Sequence, residues 1–270
     1  MSNLSDFHIH TCFSSDSDEN PENIIRQAVT LGLSSICFTD HNDFDFPLED
    51  GKVIFLVDFD KYHTYFEKLR EKYRNQLDIY IGIEQGLQKC CKDKVNSYDP
   101  DKYLDFIIGS SHLVDGSDPY YKDFWNGRST METIMKYFES ILENLKCCHN
   151  FDVYGHIDYI IRYAPGQDAD YDWKDYQDVI DDILKTLIHN GKGIEINTAG
   201  LKYGLKDPNP CFGIVKRYRQ LGGEIITTGS DAHKAEHLAY NFNIIHDFLR
   251  EAGFKYYTIF KKRKPEFIAL

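Results

Sequence analysis

Seven short apolar runs are spaced along this 270-residue chain, with longer helix-patterned segments between them, and almost every run ends in a histidine or a carboxylate. The runs are Ser5 to Ile9, Ser35 to Thr39, Asp78 to Ile83, Phe106 to Ile108, Asp152 to Tyr154, Gly193 to Ile196 and Glu224 to Thr228. Each has the composition of a buried strand and is bounded by turn-forming residues. The intervening segments follow the helical period. Asn20 and Pro21 form a start signal, Ile24, Ile25, Ala28, Val29 and Leu31 share one face, and Gly32 is a stop. Further helices are expected at about 62–73, 130–145, 173–189, 212–221 and 238–252. Strands that alternate with helices pair in parallel, and about seven such units closing on themselves make a (β/α)7 TIM-like barrel. A chain of this length can bury one substantial core, so a single domain over 1–270 is expected.

In barrels of parallel strands the functional side chains gather at the carboxyl ends of the strands. His8 and His10 end the first run, His41 follows the second, Glu84 the third, His112 the fourth, His156 the fifth, and Asp231 with His233 the seventh. The sixth ends in Glu195-Ile196-Asn197-Thr198, polar groups suited to substrate contact. His8-x-His10 puts both imidazoles on one side of a strand, because side chains alternate with period two. Asp231-x-His233 repeats that geometry from the other end of the chain. Glu84, after Ile81-Gly82-Ile83, is costly to bury without a positive partner, which a bridging role between two cations supplies; the alternative is a surface glutamate. Taken singly, His112 and His156 also fit hydrogen-bonded core histidines, and their company turns the reading to metal ligation. Asp16 follows the first strand end closely enough to reach the same cavity. Mixed imidazole and carboxylate donors suit zinc, iron or manganese better than magnesium or calcium, and zinc is the first expectation.

A net charge of −12 and a pI near 5.3 argue against a nucleic-acid partner. The basic run Lys261-Lys262-Arg263-Lys264 reads as a solvated chain end. With no export signal and no apolar run near the roughly 20 residues that span a bilayer, a soluble, cytoplasmic protein with no membrane partner is expected. Seven cysteines, two pairs of them adjacent and none in Cys-x-x-Cys spacing, read as reduced thiols. Asp115 to Arg128, rich in Asp, Gly and aromatics, reads as an active-site loop whose Tyr120, Tyr121, Phe124 and Trp125 either contact substrate or pack the loop itself.

In order along the chain, His8-x-His10, Thr39-Asp40-His41, Gly82-x-Glu84, Ser111-His112, Gly155-His156-Ile157-Asp158 and Ser230-Asp231-Ala232-His233 resemble the signature of the polymerase-and-histidinol-phosphatase (PHP) superfamily of metal-dependent phosphoesterases. The resemblance runs from His8 to His233. Leu113-Val114-Asp115-Gly116 and the stretch from Glu195 to Leu201 are most similar to its histidinol-phosphate phosphatase branch. It implies a distorted (β/α)7 PHP barrel and three divalent ions. One would be held by His8, His10, Glu84 and Asp231, a second by Glu84, His112 and His156, and a third by Asp16, His41 and His233. Asp40 and Asp158 would orient imidazoles through the other ring nitrogen. The implied activity is hydrolysis of L-histidinol phosphate to L-histidinol and inorganic phosphate in histidine biosynthesis, by attack of a metal-bridging hydroxide on phosphorus. The alternative is another phosphate ester: a nucleotide, a sugar phosphate or phosphotyrosine. Outside the superfamily, an amidohydrolase-type barrel has no obvious place for Asp16 with His41, and a regulatory protein that binds phosphate without turnover is disfavoured by the complete ligand set.

A phosphate monoester is a dianion, so its hydrolysis needs positive charge at both the attacking and the leaving oxygen. Three divalent ions against Asp16, Glu84 and Asp231 leave roughly three positive charges for a phosphoryl group. Glu84, Asp231, His233 and Arg162 are expected at the reacting centre. Arg162, six residues after His156, is the candidate phosphate clamp or else an ordinary loop arginine. Asn197 and Lys202 are candidate substrate contacts. The small-molecule phosphate ester is the expected partner, and the sequence sets no oligomeric state.

Overall fold

A computed structural model describes residues 4–98 and 102–270. In chain order the elements are β1 (Ser5–Asp6), α1 (Pro21–Leu31), β2 (Ser35–Phe38), β3 (His41–Asn42), α2 (Phe59–Tyr73), β4 (Asp78–Gly86), α3 (Lys92–Ser97), β5 (Phe106–Ser110), α4 (Thr130–Leu145), β6 (Val153–Tyr154), α5 (Gln177–His189), β7 (Gly193–Asn197), α6 (Ala199–Lys202), α7 (Phe212–Gln220), β8 (Ile226–Gly229), α8 (Ile245–Ala252), β9 (Tyr256–Lys261) and β10 (Lys264–Ala269). The order β1-β2-β4-β5-β6-β7-β8 is parallel throughout, and β3 continues the line of β2 along β4, pairing His41 with Glu84. The ring closes where the Phe7 amide donates to the Thr228 carbonyl at 2.9 Å and Ile9 bridges Ala232 in parallel. This is the expected α/β TIM-like barrel of seven strand positions.

Local sequence explains the elements that frame it. The Asn20 side chain accepts from the Glu22 amide, Pro21 opens α1, and Gly32 ends it in the left-handed region at φ 69°. Ser129 and Glu132 form a reciprocal capping box on α4, worth about 1 kcal/mol. Ile24, Ile25 and Ala28 are buried as expected, but Val29 and Leu31 are 39% and 47% exposed, so the apolar face of α1 is narrower than its pattern implied. The expected helix at 238–252 starts only at Ile245, because Ala239 and Asn241 take positive φ values of 52° and 54°.

The antiparallel hairpin of β9 and β10 has no counterpart in the sequence reading. The basic run forms its turn, not a loose chain end; its three lysines are exposed, and Arg263 is turned toward the amino-terminal end of the barrel. The Lys262 amide donates to Asp105 Oδ1 at 3.0 Å, and Arg263 Nε donates to Asp152 Oδ2 at 2.6 Å. Phe260 stacks on Phe106 of β5 with ring centroids 5.0 Å apart. With one end plugged by packed side chains, functional groups are left the opposite, carboxyl end. Among the described residues no helix is long and apolar enough to cross a membrane, and the seven cysteines are free thiols.

Candidate metal centre

Every strand position except that of β7 delivers an expected ligand to one point, and Glu84 lies at its middle. Its Oε2 stands 3.2 Å from His8 Nε2, 3.4 Å from His10 Nε2 and 3.1 Å from His41 Nδ1. Its Oε1 stands 3.1 Å from His112 Nε2 and 2.8 Å from His156 Nε2. Asp231 Oδ1 is 3.4 Å from His10 Nε2 and 3.8 Å from His8 Nε2. On the more open side, Asp16 Oδ2 lies 3.0 Å from His233 Nε2 and 3.5 Å from His41 Nε2. All nine expected ligands therefore meet at one centre. The two oxygens of Glu84 face different donor groups, as a bridging carboxylate requires.

The donors fit a cation better than they fit one another. His8 Nε2 and His10 Nε2 face each other at 3.0 Å, where only one proton can sit between them. Nitrogen or oxygen ligands at about 2.0–2.1 Å from a tetrahedral zinc stand about 3.3 Å apart. The edges linking His8, His10 and Glu84, at 3.0, 3.2 and 3.4 Å, have that size.

The imidazoles are also turned so that their lone pairs point inward. His8 Nδ1 donates to Glu195 Oε1 at 2.6 Å, His112 Nδ1 to Asp43 Oδ1 at 2.8 Å, and His233 Nδ1 to the Asp231 carbonyl at 3.1 Å. Fixing the ring proton on Nδ1 leaves Nε2 as the free donor. His10 Nδ1 likewise meets Ser14 Oγ at 3.2 Å.

Packed this closely, the imidazoles and carboxylates act strongly on one another's protons. Burial alone would lower the pKa of His8, but Glu195, Glu84 and Asp231 outweigh it and keep it well above the ordinary value. Burial also opposes protonation of His112, yet Asp43 and Glu84 push it up to about 10. For His10, burial joined by the charges of His233 and His41 pushes the pKa down to about 3. Burial would raise Glu84, and the imidazoles of His8, His112 and His41 instead hold it well below the usual carboxylate range. Cation binding demands neutral imidazoles, so it displaces these protons.

The PHP domain family matches residues 6–199. The chain belongs to the PHP domain family. It is 36% identical over 238 residues to a Clostridium acetobutylicum protein named "Probable histidinol-phosphatase", covering 88% of this chain and 89% of that one. It is 29% identical to the histidinol-phosphatase of Lactococcus lactis, covering 96% and 95% of the two chains. Its fold matches the crystal structure of histidinol phosphate phosphatase from Lactococcus lactis in complex with zinc, L-histidinol and phosphate, with a TM-score of 0.87 at 27% identity over 98% of this chain and 99% of that one.

Behind the expected ligands lie residues that sequence reasoning missed. Asp43 holds His112 through Oδ1 and faces His41 Nδ1 with Oδ2 at 3.4 Å, so one carboxylate steadies rings in different parts of the centre. Glu195, expected to meet substrate, supports His8 instead. Both carboxylates need a glycine beside them. A Cβ on Gly86 would fall 1.8 Å from Asp43 Oδ1, and one on Gly229 would fall 2.3 Å from His8 Cβ and 2.5 Å from Glu195 Oε1. Asp43→Asn should weaken cation affinity about 10–100-fold, read by competition with a chromophoric chelator; unchanged affinity contradicts this role.

Four expectations are corrected. Asp40 touches no imidazole; it accepts from the Thr11 amide, the Ser14 hydroxyl and the Tyr62 hydroxyl, and reaches His10 only through Ser14. Asp158 touches none either, since it accepts from Asn209 Nδ2 at 2.6 Å and the Cys211 amide at 2.9 Å. Asn197 is fully buried and holds Arg162 and Asp231, so it acts from beneath the site and not on substrate. Lys202 does not line the cavity above the donors, although Asp231 and Arg162 are close enough to act on its charge.

That cavity encloses about 770 Å³. Its floor is Glu84, His112, His156 and Asp231, and Arg162 stands at the side. Arg162 is 4% exposed and held on three sides: Nε donates to Asn209 Oδ1, Nη2 to Asn197 Oδ1, and Nη1 to Asp231 Oδ2 at 2.9 Å. Asp158 thus positions the arginine, through Asn209.

Proposed function

We propose that this PHP protein is a metal-dependent phosphatase that hydrolyses L-histidinol phosphate to L-histidinol and inorganic phosphate, and that it holds three divalent ions, with zinc the first candidate. The observation that carries the reading is the gathering of all nine expected ligands into one cluster with Glu84 at its middle, and a buried arginine beside them. Support comes from the relatives named for this activity and from the zinc, L-histidinol and phosphate bound by the Lactococcus lactis enzyme. His8, His10, Glu84 and Asp231 would hold one ion, Glu84, His112 and His156 a second, and Asp16, His41 and His233 the third. When bound, the ions supply Lewis acidity to the phosphoryl oxygens and acidify the water that attacks phosphorus.

The chain's own groups do the rest. Arg162 spends three of its five N–H donors on Asn209, Asn197 and Asp231, which fixes the plane of the guanidinium. The two donors that remain are poised for phosphoryl oxygens at the cavity wall, an electrostatic contact organised before the substrate arrives. Glu195 and Asp43 keep His8 and His112 in the tautomer that turns Nε2 inward. Tyr159 and Tyr163 wall the cavity and exclude water from it.

The test is phosphate release from a panel of L-histidinol phosphate, a nucleotide, a sugar phosphate and phosphotyrosine, alongside the metal content of the purified protein. We expect L-histidinol phosphate to have the highest kcat/KM by at least about tenfold. Preference for another ester by that factor removes the substrate assignment, and no turnover of any ester by the loaded protein removes the activity.

A further inference from the structure

Four of the seven cysteines form the adjacent pairs Cys90-Cys91 and Cys147-Cys148, and neither pair is among the donors of the metal centre. The sulfurs stand 3.6 Å apart in the first pair and 3.9 Å apart in the second. The first pair closes the short turn Lys89–Cys91 that leads into α3, with Cys90 exposed and Cys91 only 1% exposed. Burial, Cys90 and Asp45 raise the pKa of the Cys91 thiol, so it keeps its proton. That proton has acceptors at hand. Cys91 Sγ lies 3.2 Å from the Phe44 carbonyl oxygen and 3.5 Å from Asp45 Oδ2. Gln88 Nε2 donates to the same carbonyl at 3.4 Å, and Lys94 Nζ pairs with Asp45.

These contacts tie the turn to the chain just beyond Asp43, which holds His112 through Oδ1 at 2.8 Å and faces His41 with Oδ2. Asp45 itself sits in the left-handed region at φ 57°, where a residue with a Cβ depends on its surroundings to hold it. An exposed thiol beside a buried one is a dithiol open to a small oxidant, because exposure decides which sulfur reacts first.

We propose that Cys90 and Cys91 are a modification site for hydroperoxides, and that their oxidation to a disulfide releases the anchor on Phe44 and Asp45 and weakens the hold of the centre on its cations. With hydrogen peroxide, the Cys90 sulfur attacks the O–O bond and becomes a sulfenic acid, its proton leaving with the departing hydroxide as water. The Cys91 sulfur then displaces hydroxide from the Cys90 sulfur and forms the S–S bond. The proton of Cys91 passes through Asp45 to that hydroxide, which leaves as a second water. Two thiols are oxidised and one peroxide is reduced. Cys91 then has no proton for Phe44 or Asp45. Adjacent Cα atoms are about 3.8 Å apart, short of the roughly 4.4–6.8 Å that disulfides adopt, so the bond is strained and thiols reverse it readily.

Hydrogen peroxide treatment of the zinc-loaded protein tests this, since zinc has no redox chemistry of its own. Peptide mapping should find a disulfide between Cys90 and Cys91. Zinc affinity, read by competition with a chromophoric chelator, should fall by about tenfold or more and return with dithiothreitol. Cys90→Ser should bind zinc within about twofold of the wild type before treatment and lose the response, while Cys148→Ser should keep it. Thiols that stay reduced, a disulfide that leaves zinc affinity unchanged, a Cys90→Ser response equal to the wild type, or a response lost in Cys148→Ser overturns the inference. None of these measurements uses a phosphate ester, so their failure leaves the phosphatase reading standing, and failure of that reading leaves them standing.

Discussion

Glu84→Gln is expected to lower phosphate release by at least about a thousandfold and, on the proposed three-ion reading, to cost the purified protein two cations. Loss of a single preorganised donor to a developing charge costs about a hundredfold to a thousandfold, and this change does more than that. Glu84 is 1% exposed, and its two oxygens face five imidazole nitrogens between 2.8 and 3.4 Å away. Glutamine has the same shape but one acceptor oxygen and no charge. Its amide nitrogen would turn a donor toward ring nitrogens that must themselves be electron-pair donors, and its remaining oxygen would be a neutral, weaker ligand, so both the His8 and His10 side and the His112 and His156 side lose affinity. Metal analysis of the variant checks this alongside kinetics. Near-normal rates with full metal content would show that Glu84 is not shared between cations.

Arg162→Lys is expected to lower kcat/KM by about a hundredfold or more, although it preserves the charge. The guanidinium makes three directed bonds in one plane, to Asn209, Asn197 and Asp231. An ammonium cannot satisfy that fork and also present two parallel donors to a phosphoryl group. Arg162→Met has a second effect. The pair with Asp231 at 2.9 Å is buried, and removing one partner of a buried pair costs about 3–5 kcal/mol, so thermal denaturation of the metal-free variant should fall in temperature. A lysine variant within about threefold of the wild type would contradict the clamp.

The strand ends were legible because ligand chemistry and strand periodicity point the same way. A histidine two residues from another is a weak signal alone, but Asp231-x-His233 repeats the spacing at the far end of the chain, and the order from His8 to His233 needed only parallel closure to become a single centre. Asp43 and Glu195 escaped notice for a physical reason: each acts across one intervening strand, on His112 and His8, with no local pattern linking the partners. The available signals were Asp43 two residues after His41, and a carboxylate in the middle of the apolar run from Gly193 to Asn197. Asn197 and Asp158 were misjudged because a polar residue at a strand end can face the cavity or the groups beneath it, and only packing decides. The hairpin of β9 and β10 was hidden by its turn. Lys262 and Arg263 adopt φ values of 50° and 61° without the glycine or asparagine that marks such turns, and four consecutive basic residues read as a solvated tail.

Anomalous diffraction at a metal absorption edge, from crystals of the protein purified with its own metal, tests the central claim most directly. The account predicts scattering peaks on both sides of the Glu84 carboxylate, one among His8, His10 and Asp231 and one between His112 and His156, with a third by Asp16, His41 and His233. Crystals of catalytically active protein with no peak within bonding distance of either Glu84 oxygen would contradict it.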